Sequence, residues 1–319
     1  MSHPFRFNLA LIVLTILCGT FAYIVIPAEG AKHNSVELIA SPFCATVGIS
    51  NMSLEGTSAY ALDIKTGTTL YEKNASQQLP LASLTKLMTA LTVSEILKPG
   101  HIVTISNDAL TPEGDVGFQR GEQWKLQDLI DYTLVISAND GARALALAAE
   151  DKLGETDEQF IRRMNEKAVK IGMRETFFMD ETGLDISENT AGAYGSARDV
   201  AQLLRHITLT NPRLIEGTTA GSGIFVSETG IRHKGTNTSA VITNLSGAIG
   251  SKTGFTDLAG GNLAIVFEPI PGRPVVAVIL GSSRSGRETD MYRLAEQAKK
   301  ALRISVICRE ASNSSHNAL

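Results

Sequence analysis

Two short stretches near the start of the folded part, TSAYALDI (57–64) and TTLYEK (68–73), carry apolar side chains in strand-like runs around Lys65-Thr66-Gly67. They predict a strand, a tight turn and a second strand. The pattern then changes to helical spacing. Over 83–97, Leu84, Leu87, Met88, Leu91 and Ile96 share one flank, which predicts a helix. Further helices are predicted over about 126–136, 142–153 and 156–171, the last ending at Gly172, and another over about 197–207 after Ser196. The last third returns to strand-like runs at VITNL (241–245), GAIGSKTG (247–254), NLAIVFE (262–268) and RPVVAVILG (273–281), with Pro271-Gly272 marking a turn. A long amphipathic helix is expected over about 288–303, then a polar, frayed tail from Glu310. Strands at both ends and helices between them suggest one antiparallel sheet closed by the two ends of the chain.

The N-terminus follows a different rule. Residues 9–26, LALIVLTILCGTFAYIVI, are almost wholly apolar after a short segment with one Arg and no acid. A bilayer span needs about 20 residues and a signal-peptide core about 7–15, so this run fits a cleaved signal or an anchor. Ala28 and Gly30 are small residues at a spacing suited to cleavage. Either reading exports the remainder. The expected organisation is residues 1–30 as signal or anchor, 31–55 as linker, 56–305 as the catalytic domain and 306–319 as a polar tail.

Composition narrows the class. The 319 residues are 43% hydrophobic and 19% charged, with a net charge of −4, which describes a globular chain. No Lys/Arg block marks a nucleic-acid surface. Three cysteines, Cys18, Cys44 and Cys308, are too few for a disulfide framework. Cys44 and Cys308 flank the folded part and could pair in an oxidising compartment. The six histidines form no metal-ligand pattern.

Three short motifs carry candidate chemistry. Ser83-Leu84-Thr85-Lys86 places a hydroxyl and an amine at i and i+3, on one helix face. Burial and the helix N-terminus both favour a neutral amine, which can take the serine proton. A free backbone N–H at the helix start can help hold an oxyanion. Alone, the pattern is more often an N-cap followed by a surface lysine. Ser137-Ala138-Asn139 sets a hydroxyl and an amide on a loop between two helices. The same spacing recurs at Ser187-Glu188-Asn189 and Ser315-His316-Asn317 without evident role, and an N-cap explains any one of them. Lys252-Thr253-Gly254 ends a predicted strand with a cation and a hydroxyl suited to a carboxylate, and a Gly that lets a peptide lie on the strand edge. Lys65-Thr66-Gly67 repeats the triplet where turn chemistry explains it.

The order and context of the three motifs resemble the signature of penicillin-binding proteins and class A β-lactamases. The chain from about 56 to 305 resembles the D-alanyl-D-alanine carboxypeptidases, the low-molecular-mass penicillin-binding proteins, through ASLTKLMTAL (82–91), SANDGARALA (137–146), FFMDETGLD (177–185), SARDVAQLL (196–204), SKTGFTDLAGGNL (251–263) and GRE (286–288). The resemblance implies an α+β, β-lactamase/transpeptidase-like fold, with a five-stranded antiparallel sheet, helices on both faces and an inserted helical region. It implies Ser83 as acylated nucleophile, Lys86 as its base and Ser137 as proton relay. Asn139 would contact the substrate amide. Lys252 and Thr253 would hold the terminal D-alanine carboxylate, with Gly254 letting the substrate backbone lie against the strand edge and Arg287 adding charge at the carboxylate end. The backbone N–H groups of Ser83 and Phe255 would form the oxyanion hole. The implied substrates are peptidoglycan stem peptides ending in D-Ala-D-Ala, the implied inhibitors β-lactams, and no cofactor is implied. Longer members carry a second, β-rich domain and a C-terminal anchor, so membrane attachment is expected only through residues 9–26. Asp180 stands where members often have Asn. A D,D-endopeptidase shares the trio. A class A β-lactamase would add a water-activating Glu, to which Glu181-Thr182-Gly183-Leu184-Asp185 is a near match. A non-catalytic wall-binding protein would be expected to lack Ser83 or Lys86.

Overall fold

Long apolar runs dictate the centre of the molecule. A computed structural model describes residues 52–316, all within one of the two units into which the chain divides. Residues 9–26, Cys18 and Cys44 lie outside the described residues. The chain begins with β1 (Ser58–Asp63), β2 (Thr69–Lys73) and a two-residue β3 (Leu79–Pro80), then a 3₁₀ turn (Ala82–Leu84) and α1 (Thr85–Ile96). The small strands β4 (Ile102–Thr104) and β5 (Gln123–Lys125) precede α2 (Leu126–Ile136), α3 (Asn139–Leu153) and α4 (Asp157–Lys170). Short strands β6 (Phe177–Phe178), β7 (Asp185–Ser187), β8 (Thr190–Ala191) and β9 (Ala193–Gly195) lead to α5 (Ala197–Thr210) and the single turn α6 (Arg213–Glu216). The hairpin β10 (Ser222–Val226) and β11 (Arg232–Thr236) is followed by β12 (Ala248–Thr256), β13 (Gly260–Ile270), β14 (Arg273–Ser282) and α7 (Gly286–His316).

Five strands form one antiparallel sheet in the order β12-β13-β14-β1-β2. Both faces are covered, which is why its inner strands are apolar at nearly every position. Side chains alternate between faces. Tyr60, Leu62, Ala264, Val266, Val276 and Val278 join the core beneath the helices. Ala59, Ala61, Ile265, Val275, Ala277 and Ile279 join a second core under α7. Each fully buried aliphatic side chain of this kind contributes roughly 1.5–3 kcal/mol. On the first face α5 packs on β14 and β1. Beyond it, α1 is buried at every position from Thr85 to Val93, because it runs through the middle of the helical layer. The α+β architecture and five-stranded sheet match the sequence expectation.

Four local expectations need correction. VITNL (241–245) is a turn, not a strand: the N–H groups of Asn244 and Leu245 both donate to Val241 O. Its buried Val241 and Ile242 pack into the α7-side core instead of pairing. The polar segment from Glu310 continues α7 as helix to His316. Residues 52–55 of the expected linker belong to the fold, with Leu54 buried and the Glu55 and Gly56 N–H groups donating to Asp290. The third predicted helix starts at Asn139, three residues early, because the backbone turns helical directly after Ala138. The hairpin β10–β11 was not predicted. Cys308 is disulfide-bonded; Cys44, the partner weighed for it from the sequence, lies outside the described residues.

The start of α5 offers a clean test of local logic. Ser196 is extended and its Oγ accepts the Asp199 N–H at 3.1 Å, satisfying a donor that the helix itself cannot. Ser196→Ala is expected to cost about 1 kcal/mol and to lower Tm by roughly 2–4 °C, read by thermal and urea unfolding. An unchanged midpoint would show that water replaces the cap.

Candidate active site

The turn that carries Ser83 is built against a conformational cost. Ala82 has φ +49°, a left-handed geometry that disfavours any Cβ-bearing residue. It persists because neighbours fix it from three sides. The Asn262 side chain on β13 donates to Pro80 O at 3.0 Å and Leu81 O at 3.1 Å, and accepts Gly281 N–H at 2.9 Å. Thr85 Oγ1 donates to Ala82 O at 2.8 Å. Gly183 backs directly onto the turn, where a Cβ would lie 2.0 Å from Ala82 O. This arrangement presents Ser83, half-buried, just ahead of α1.

Lys86 follows one turn later and is wholly buried, since its helix is. Its Nζ lies 2.9 Å from Ser83 Oγ, 2.6 Å from Asn139 Oδ1 and 2.8 Å from Thr182 O. Burial lowers its pKa from 10.5 to about 7, although the carboxylates of Asp180, Glu181 and Asp140 pull the other way. A neutral amine has two N–H groups and one lone pair. The amide and peptide oxygens can only accept, so they take both N–H groups. The lone pair is left for the Ser83 hydroxyl, which then donates to it.

The second motif sits at the junction of α2 and α3. Ser137 ends α2 in a left-handed conformation, φ 65°, and its Oγ accepts from Lys252 Nζ at 2.7 Å. It makes no hydrogen bond to Ser83 or Lys86 among the described residues. Asn139 starts α3, and its Nδ2 donates to Glu113 O at 2.7 Å. Its amide is thus oriented with the oxygen toward Lys86.

Lys252 belongs to β12, an edge strand of the sheet. Its amine is buried, donating also to Thr253 O at 2.8 Å. Burial pushes its pKa well below 10.5, and the nearby charges of Lys86 and Arg287 add to the shift. Gly254 is required by close approach: a Cβ there would lie 2.9 Å from Leu81 O and 3.2 Å from Ser83 N. The glycine brings β12 against the turn that carries Ser83, where first-turn N–H groups lack helical partners. Phe255 follows, 37% exposed, with the Arg284 guanidinium 3.9 Å over its ring. Arg287 lies buried behind the strand; its Nη1 donates to Gly254 O at 2.9 Å and its Nη2 to Thr238 O at 3.4 Å. A cavity of about 420 Å³ continues past Phe255 to Glu113, Leu184, Asp185, Thr256 and Asp257.

The structure therefore brings Ser83, Lys86, Asn139, Ser137, Lys252, Thr253 and Gly254 into one hydrogen-bonded or closely packed group. The second Lys-Thr-Gly stays in the β1–β2 turn, where Asp63 accepts from Lys65 N and Thr66 Oγ1. The carboxylate of Glu181 is not turned to Ser83; it faces Arg143 at 3.7 Å. Sequence reasoning missed three participants. Asn262 stood inside a quoted block without a role, since nothing local says which carbonyls its amide will meet. Thr238 has no motif at all, yet its Oγ1 lies 2.5 Å from Thr253 Oγ1. Thr182 acts through its carbonyl, which side-chain identity cannot reveal. Among the described residues no cluster of His, Cys, Asp and Glu could hold a metal ion.

Asn262→Ala would remove the side-chain donor to Pro80 O and Leu81 O and the acceptor of the Gly281 N–H, so a loss of roughly 2–3 kcal/mol is expected. Urea unfolding measures it, and a loss below about 0.5 kcal/mol would mean that Asn262 does not hold the turn.

Known proteins extend the same picture. The sequence profile of the family D-alanyl-D-alanine carboxypeptidase matches residues 45–284. The carboxypeptidase DacF of Bacillus subtilis is 30% identical over 213 residues, covering 65% of this chain and 52% of the relative. DacD of Escherichia coli is 32% identical over 256 residues, covering 76% and 61%. The chain thus spans only about half to three-fifths of these relatives' lengths. Penicillin-binding protein D2 of Listeria monocytogenes, solved with ampicillin bound, superposes with a TM-score of 0.65 at 30% identity, covering 78% of this chain and 99% of that one. The match across most of the folded region, on a fold whose site is assembled as above, establishes that the chain belongs to the D-alanyl-D-alanine carboxypeptidase family.

Proposed function

We propose that this protein is a serine-type D-Ala-D-Ala carboxypeptidase that trims peptidoglycan stem peptides outside the cytoplasm and is acylated by β-lactams. The observation that carries the reading is the geometry of Lys86: two obligate acceptors fix its N–H groups, so its free lone pair meets the Ser83 hydroxyl.

The steps follow from this arrangement. Ser83 Oγ passes its proton to Lys86 Nζ and bonds to the carbonyl carbon of the penultimate D-alanine. The oxyanion is received by the N–H groups of Ser83 and Phe255. The C–N bond breaks, and the leaving amine of the terminal D-alanine takes the proton through Ser137. Water then hydrolyses the Ser83 ester and restores the hydroxyl. Asn139 is placed to bond a substrate amide. The terminal carboxylate is received beside Lys252, Thr253 and the Thr238 hydroxyl, with Arg287 as positive backing behind the strand. A carboxylate arriving there favours the ammonium form of Lys252, and that charge in turn favours neutral Lys86. The cavity past Phe255 accommodates the upstream stem. The pairing of Glu181 with Arg143 speaks against a β-lactamase that uses Glu181 to activate water. Export rests on residues 9–26, as signal or anchor; no described helix is long and apolar enough to cross a membrane.

An intact-mass time course of the protein with benzylpenicillin tests the reading. A lasting one-to-one adduct, absent in a folded Ser83→Ala variant, is expected, together with D-alanine release from a peptide ending in D-Ala-D-Ala. Rapid penicillin consumption without an adduct would point to a β-lactamase. Cleavage of cross-linked dimers without D-alanine release would point to an endopeptidase. Inertness to both reagents would overturn the enzyme reading.

The same geometry sets a pH dependence. Only neutral Lys86 can take the proton, so the second-order acylation rate should rise with pH through about 7 and level off above. A rate that is flat from pH 5 to 9 would remove Lys86 as the base.

A further inference from the structure

Behind the wall that holds Lys86 lies a charged cluster that the reaction does not touch. Arg143, one turn along α3 from Asn139, places Nη1 3.2 Å from Glu150 on its own helix, 2.6 Å from Asp157 on α4 and 3.7 Å from Glu181. Glu150 and Glu181 are nearly buried, with 8% and 7% of their side chains exposed. Among the described residues, no other cation pairs with these three carboxylates. One guanidinium therefore answers three acids, and burial already pushes Glu150 up to about 7 and Glu181 above its ordinary range.

Glu181 connects the cluster to the site. Its own carbonyl accepts from Thr89 Oγ1 on α1 at 2.7 Å. The next carbonyl, Thr182 O, accepts from Lys86 Nζ. Asp180 caps the Thr182 N–H at 2.8 Å and also binds the Gly183 N–H, and Gly183 sits on the nucleophile turn. The charges facing Lys86 are Asp140 from α3, Asp180 and Glu181 from this segment, and Lys252 from β12. Of these, Glu181 alone has a cation pairing its carboxylate from outside the cleft.

We propose that Arg143 is a positioning residue for the base: by answering the Glu181 charge it keeps the 180–183 segment seated on α1 and limits the negative field on Lys86, so that the amine is neutral when substrate arrives. Over the pH range in which Glu181 is ionised, loss of the guanidinium leaves its carboxylate free to stabilise the Lys86 ammonium, while burial favours its protonated form at lower pH. The acid limb of acylation then moves to higher pH. A buried pair that lost its cation for purely structural reasons would instead lower the rate at every pH.

This inference rests on the acylation reading above, and its test separates the two. The second-order rate of benzylpenicillin acylation is measured from pH 5 to 10 for the wild-type protein and for Arg143→Gln, Arg143→Lys, Glu181→Gln and the double variant Arg143→Gln/Glu181→Gln. A displacement of the limb by about half a pH unit corresponds to roughly threefold in rate below it. Arg143→Gln should be slowed at least about threefold at pH 6 and little at pH 9. Arg143→Lys should restore the wild-type limb, and the double variant should lose the upward displacement. Glu181→Gln alone should move the limb to lower pH, which keeps the test open if Arg143→Gln does not fold. A uniform loss with an unmoved limb, or a Glu181→Gln limb that coincides with wild type, overturns the inference. Absence of any wild-type adduct would instead overturn the acylation reading itself.

Discussion

A primary amine buried from water must either find acceptors for three protons or give one up. Lys86 is held at that balance. Two of its neighbours can never donate, and the third is the Ser83 hydroxyl, which can. Every nearby element serves this placement: α1 buries the stem, α3 supplies the amide oxygen, the 180–183 segment supplies the carbonyl, and the sheet presses Gly254 against the turn that carries Ser83. Shifting any one of these by an ångström would break a bond to the amine or open a path for water, and a hydrated lysine would keep its proton.

The strained turn before Ser83 shows how the fold meets the cost of reactivity. A left-handed alanine costs on the order of 1–2 kcal/mol, and an isolated segment would relax. Here Asn262, Thr85 and Gly183 approach from three sides. The amide of Asn262 ties β3 and the turn to the sheet, so the nucleophile is fixed relative to Lys252 and Gly254 on the neighbouring strand. The placement of Ser83 is thus a property of the sheet–helix interface, and the two cores on either side of the sheet stabilise it at a distance.

Charge follows the same division. Lys86 and Arg287 both disfavour the charge of Lys252, while Asp140, Asp180 and Glu181 partly offset the effect of burial on Lys86. Under the proposed reading, a carboxylate arriving beside Lys252 restores its charge and leaves Lys86 neutral. Arg143 belongs to the outer ring of this field, answering a carboxylate that would otherwise act on the base.

Much of this was legible in the chain itself. Apolar runs and 3.6-residue patterns marked β1, β2, β13, β14 and the main helices, because burial of a sheet strand or a helix face leaves a local record. The order of Ser83-x-x-Lys86, Ser137-x-Asn139 and Lys252-Thr253-Gly254 named the chemistry, because each pair is fixed by local backbone geometry. Tertiary structure alone decided that Val241 and Ile242 pack on α7 as a turn, that Thr238 meets Thr253 and that Glu181 turns to Arg143. Those outcomes depend on contacts between residues far apart in sequence or on backbone carbonyls, and neither leaves a periodic or compositional trace. The sequence determined the elements and the reactive groups; the packing of α1, α3 and the 180–183 segment against the sheet decided which proton acceptor each group would have.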